Sequence, residues 1–126
     1  MTVVVDTSVL IDHLRGLDDA RQVLADLVDA DEHLAGSVLT RMEIHAGARS
    51  SERASIQALL DVVEWIPVTV DVADRAGELA RQYLRSHPGI DAVDYVIAAT
   101  TEQVRGRLLT RNVKHFPMLP DLVAPY

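Results

Sequence analysis

The sequence contains no cysteine, which excludes disulfide frameworks, thiolate zinc sites and cysteine nucleophiles. Any chemistry it performs must rest on oxygen and nitrogen. It also lacks an apolar run approaching the roughly 18 residues that span a bilayer. Met1 leads directly into the strand-like run Thr2 to Val5, without the basic segment that opens a secretory signal. The expectation is a cytoplasmic protein with no membrane contact. Basic residues are in the minority, 12 against 19 acidic, for a net charge of −7. That balance argues against a sequence-independent nucleic-acid binder working through a broad basic face, although clustered acids that bind a cation would account for part of the excess. Lysine is nearly absent: Lys114 is the single one, and the other 11 basic residues are arginines. Arginine favours bidentate phosphate contacts, and a GC-rich genome produces the same bias without any function.

What is present suits one compact domain spanning residues 1–126, with 48% hydrophobic residues and no repeat, low-complexity tract or linker. Val3 to Val5 forms a β-branched run ending at Asp6. After it, Asp6, Thr7 or Ser8 can cap a helix through Val9, Leu10 and Leu14, which Gly16 ends. Asp18 to Ala30 is an amphipathic helix by its apolar spacing, and Leu34 to Val38 reads as a buried strand. Thr40 and Glu43 fit a capping box opening a third helix that ends near Gly47, and a fourth runs from Ser51. Trp65 to Val68 reads as a short strand limited by Pro67, and Asp71 starts the next helix. Past the break at His87, Pro88 and Gly89, Asp91 and Asp94 precede an apolar helix. Gly106 then turns into a strand at Leu108 to Thr110, and a last strand is expected at Leu122 to Ala124. The alternation predicts an α/β three-layer sandwich, with a mostly parallel central sheet of four to five strands flanked by helices. Ligands are expected beyond the carboxyl ends of the strands.

Asp6, Glu43, Asp94 and Asn112 each stand where a short apolar run meets a helix-starting pattern, so a right-handed α/β fold can bring them together. Carboxylates gathered that closely must take up protons or bind a cation. Oxygen-only donors select a hard divalent ion such as Mg²⁺ or Mn²⁺. Each acid also has a purely structural explanation as a helix cap or a first-turn acid favoured by the helix dipole. Capping and coordination are compatible, since helix amides near Asp94 favour its ionised form. Histidine is a weak signal: Asp12 and His13 are adjacent, but the other histidines do not supply the spacing of a metal-phosphohydrolase motif. Arg41 and Arg111 flank Glu43 and Asn112, and Lys114 and His115 follow in the same loop, so all four are candidate phosphate contacts.

Read in order, VVVDTSVLIDHL at 3 to 14, SVLTRMEIHAG at 37 to 47, IDAVDYVIAAT at 90 to 100 and LLTRNVKHF at 108 to 116 resemble the PIN domains, and among them the VapC-type toxins of toxin–antitoxin pairs. On this resemblance Asp6 matches the acid ending the first strand, Glu43 the acid inside the third helix, and Asp94 the acid opening the D-x-x-I-A-A helix. Asn112 takes the fourth position, where many relatives carry Asp. The resemblance implies that Asp6, Glu43 and Asp94 ligate Mg²⁺ or Mn²⁺ and that Asn112 orients water or weakly holds a second ion. Thr110 resembles the hydroxyl residue supporting the first acid, with Thr7 or Ser8 acting likewise, while Asp91 either lines the site or caps its helix. It further implies an endoribonuclease toxin cutting a tRNA or rRNA loop to leave a 5′-phosphate, a VapB-like antitoxin, and a homodimer within a larger complex. The alternative is a PIN domain weak in catalysis that binds RNA or protein. An aspartyl-phosphate enzyme using Asp6 is disfavoured, because DTSVL lacks the second Asp two residues on.

Overall fold

A computed structural model describes residues 1–126. At its centre lies a four-stranded sheet of β1 (Thr2–Val5), β2 (His33–Ser37), β3 (Glu64–Ile66) and β4 (Arg107–Leu109), in the order β3-β2-β1-β4. Every pairing is parallel; β1 sets Val4 opposite Ala35 on one side and Leu108 on the other. Six helices cover the sheet: α1 (Thr7–Leu14), α2 (Asp18–Asp29), α3 (Val38–Ala46), α4 (Arg53–Val62), α5 (Val70–Tyr83) and α6 (Ala92–Gln103).

A strand buried on both faces must be apolar along its buried length, which is why β1 continues from the half-buried Thr2 as three valines rather than alternating. Val3 and Val5 face a core made with Leu10, Leu24, Ile44 and Leu59 from α1 to α4. Val4 faces the opposite core with Leu79, Ile97, Leu108 and Phe116, beneath α5 and α6. The expected sandwich is therefore present, with α1 to α4 on one layer and α5 and α6 on the other. The chain runs outward from β1 to β3 and then returns to place β4 on the other side of β1. This reversal opens a crevice beyond the carboxyl ends of β1 and β4. Gly106 is needed for that return, since a Cβ there would lie 2.5 Å from the Thr2 carbonyl oxygen.

Several boundaries differ from those read off the sequence. Ser37, not Thr40, caps α3, its hydroxyl accepting from the Leu39 amide at 3.1 Å; Thr40 is buried inside the helix and the capping box with Glu43 does not form. Asp6 occupies the cap position of α1 but its side chain makes no capping bond. Thr69 caps α5 in place of Asp71. A short 3₁₀ turn, Ser50–Glu52, precedes α4, and β3 ends at Ile66, before Pro67. The strand expected at Leu122 to Ala124 does not form. Pro120 and Pro125 bracket the segment, leaving it short between two residues without an N–H, and Leu122 packs against the second core instead. No helix is long and apolar enough to cross a membrane.

Candidate active site

Four segments deliver their polar groups to the same end of the sheet. Asp6 leaves β1 and is only 4% exposed; its Oδ2 accepts from the hydroxyls of Ser8 and Thr110, both at 2.8 Å. Thr110, itself buried, follows β4 and also accepts from the Asn112 amide at 3.0 Å. Glu43 lies on α3, and its Oε1 accepts from the Thr7 hydroxyl at 2.6 Å. The same Thr7 hydroxyl lies 3.2 Å from that of Thr40. Thus Thr110 and Ser8 hold Asp6, the acid expected for them, whereas Thr7 holds Glu43 instead.

Asp94 stands in the first turn of α6. Its amide donates to Asp91 Oδ1 at 3.0 Å while the Asp91 amide donates back to Asp94 Oδ2 at 3.3 Å. This reciprocal box places Asp91 as the cap of α6. His115 Nδ1 lies 3.2 Å from the same Oδ2. The amides do not keep Asp94 an ordinary acid, as the sequence led us to expect. Burial, with the charges of Asp91 and Asp6 added, outweighs the Asp91 amide and His115 and lifts its carboxyl to about 6.

Each acid shares one trait: a single oxygen is tethered by the protein and the second, Asp6 Oδ1, Glu43 Oε2 or Asp94 Oδ1, takes no protein hydrogen bond. Oxygen donors with mutual repulsion and free lone pairs fit a hard divalent cation. No three acidic or histidine side chains yet lie close enough to enclose one. Asn112 is exposed; its carbonyl accepts from the His115 amide at 2.8 Å, and its side chain makes no hydrogen bond.

The proposed phosphate contacts separate. Arg111 donates to Asp12 Oδ2 at 2.6 Å, and its guanidinium lies 5.7 Å from the Tyr126 ring. Arg41 lies over Trp65 at 5.5 Å. His115 is engaged beside Asp94, whereas Lys114 is exposed and makes no ion pair. Two participants escaped sequence reasoning: Thr40, which read as a helix cap, and Asp12, which accepts from both Arg111 and the Tyr126 hydroxyl, the latter at 2.6 Å. Adjacency of Asp12 to His13 was the visible signal, and His13 is not its partner.

With this architecture, residues 3–118 match the PIN domain family, and the chain belongs to that family and, within it, to the VapC group. It is 51% identical over 122 residues to ribonuclease VapC19 of Mycobacterium tuberculosis, covering 97% of this chain and 98% of that protein. Ribonuclease VapC10 of the same organism is 42% identical, with 98% and 92% covered. A toxin–antitoxin complex from Klebsiella pneumoniae contains a chain of TM-score 0.82 and 30% identity, with 98% of each chain covered.

Proposed function

We propose that this protein is the VapC-type toxin of a toxin–antitoxin pair, an endoribonuclease that uses Mg²⁺ or Mn²⁺ to hydrolyse RNA phosphodiester bonds. Residues 1–126 act in this reading as one PIN domain in the cytoplasm. The observation that carries it is the trio Asp6, Glu43 and Asp94, each with one oxygen tethered and one free at the crevice end of the sheet. Its relatives' description as ribonucleases supports the substrate. An exposed, single-stranded loop of tRNA or rRNA is the natural target, because unstacked bases there are open to recognition.

Asp6, Glu43 and Asp94 would hold the ion through their free oxygens, and a divalent ion so held supplies Lewis acidity to the phosphodiester and to the attacking water. Ser8 and Thr110 fix the rotation of Asp6, and Thr7 that of Glu43, so that little ordering remains when the substrate arrives. Asn112 lies in the loop after β4, where its free amide can orient water. His115 Nδ1, 3.2 Å from Asp94 Oδ2, lies against the oxygen that the Asp91 amide already tethers and leaves Oδ1 free. Products carry a 5′-phosphate and a 3′-hydroxyl. A VapB-like antitoxin covering the crevice silences the toxin, and the active unit is a homodimer within a larger complex.

The test is purified, antitoxin-free protein incubated with total RNA in Mg²⁺, in Mn²⁺ and in EDTA, beside Asp94→Ala, with new 5′ ends mapped by sequencing. Discrete, metal-dependent cuts absent from the variant are expected. The open spacing of the acids and the Asn at position 112 favour a second reading, a weakly catalytic PIN domain that binds RNA or protein. Folded protein that binds but never cuts would select it.

A further inference from the structure

The cations closest to the acids in sequence are in part spoken for: Arg111 is paired with Asp12, and His115 sits against Asp94. Lys114 and Arg41 make no ion pair, and a second set of cations is also unpaired. Where α3 ends and α4 begins, a cleft of about 410 Å³ is bordered by His45, Arg49, Arg53 and Gln57 over Ile56 and Leu60. All four polar residues are exposed, neither Arg49 nor Arg53 makes a salt bridge, and no acid lines the cleft in a chain carrying 19 of them.

The neighbouring acid has been withdrawn from this face. Glu52 is buried and accepts from Arg15 and from the Arg49 amide, and these bonds, with the charges of Arg15 and Arg49, hold it below the usual carboxylate range despite its burial. Arg15 also donates to the Gly47 carbonyl at 3.1 Å, so the turn presenting Arg49 is braced at both ends. The cleft begins at His45, two residues beyond Glu43 on α3.

We propose that this cleft is a track for the RNA backbone, in which Arg49 and Arg53 grip phosphates flanking the bond to be cut, His45 adds a donor, and Ile56 and Leu60 support the ribose; Gln57 is held by Asp61 at 2.8 Å. The inference rests on the ribonuclease reading and deepens it. A polyanion approaching a nest of carboxylates needs cations that are not already neutralised, and arginine forks bind phosphate oxygens bidentately. Because one helix, α3, carries both Glu43 and the cleft's His45, RNA rather than an acidic protein segment is the occupant.

The experiment measures binding of a labelled single-stranded oligoribonucleotide by anisotropy across a salt series. It compares Asp94→Asn protein with the same protein carrying Arg49→Gln and Arg53→Gln, and with Arg49→Lys and Arg53→Lys. Loss of two phosphate contacts should weaken binding about tenfold and flatten the log–log salt dependence by roughly 1.4 in the Gln protein. The Lys protein should keep the slope. In the otherwise wild-type enzyme, Arg49→Gln with Arg53→Gln should raise KM on the mapped RNA with kcat little changed. Unchanged affinity and slope overturn the track even if the wild type cuts RNA. So does weaker binding without a change in slope, and so does loss of labelled poly-glutamate binding, measured in a parallel anisotropy titration, with RNA binding retained. Absence of both cutting and binding in wild-type protein defeats the ribonuclease reading itself, and the track with it.

Discussion

Thr110 donates its hydroxyl to Oδ2 of Asp6 at 2.8 Å across 104 positions of sequence, and thereby ties the end of β4 to the end of β1. Because the Asn112 amide donates to the same hydroxyl oxygen, one buried side chain fixes both the acid and the loop. Thr110→Val keeps the shape and removes the hydroxyl, so it should cost about 1–3 kcal/mol, the range for stranding buried polar partners. Urea denaturation measures this, and RNA cleavage should slow in parallel. An unchanged midpoint would show that the bond contributes nothing.

Asp94 gives a pH dependence whose sign is fixed. Its carboxyl is raised from the ordinary 3.8 to about 6, so above about 6 the folded apo protein bears the full penalty of the charge. As pH falls from there toward 3.8, the folded state binds a proton that the unfolded state does not, and stability rises by at most about 1.4 kcal/mol per pH unit. Melting of wild type against Asp94→Asn, without divalent ions, should show this tilt in the wild type alone. Identical pH profiles would mean that Asp94 titrates as in the unfolded chain.

A divalent ion should remove the same penalty at neutral pH. Mn²⁺ at a hundredfold excess over its dissociation constant should add about 2.7 kcal/mol of stability. The double variant Asp6→Asn with Asp94→Asn should gain nothing. Differential scanning calorimetry in Mn²⁺ and in EDTA decides the matter, since an equal gain in both proteins would place the ion elsewhere.

Tyr126→Phe tests the Asp12 cluster. Burial pushes Asp12 upward, but hydrogen bonds from Tyr126 and Arg111 outweigh it and hold the carboxyl below 3.8. The stability this lends is present above 3.8 and disappears as pH falls through the folded value. The variant should therefore lose about 1–2 kcal/mol at neutral pH, with the deficit closing in acid. Chemical denaturation at pH 7 and pH 3 measures it. A deficit independent of pH would assign the loss to packing of the ring.

The sequence made two of the acids legible because each borders a run whose apolar character reports burial: Asp6 follows TVVV, and Asp94 opens the helix that carries Ile97 and Ala98. It misplaced the cap of α3 because Ser37 lies inside the apolar stretch Leu34 to Leu39, where strand gives way to helix without a turn. Thr69 was hidden by Asp71, an equally good cap two residues later. The Asp12, Arg111 and Tyr126 cluster was beyond local patterns altogether, with partners 99 and 114 positions apart. The cations of the α3–α4 cleft were visible as letters, but the burial of Glu52 against Arg15 was not.

The outer strands β3 and β4 are three residues each. An edge so short offers an incoming strand only a few backbone partners, too few to template lateral growth. Association with a second copy or with another protein must consequently be negotiated by helix surfaces and loops, where side chains rather than backbone decide the fit. A crevice protein of this build can change partners by surface substitution while its sheet stays the same.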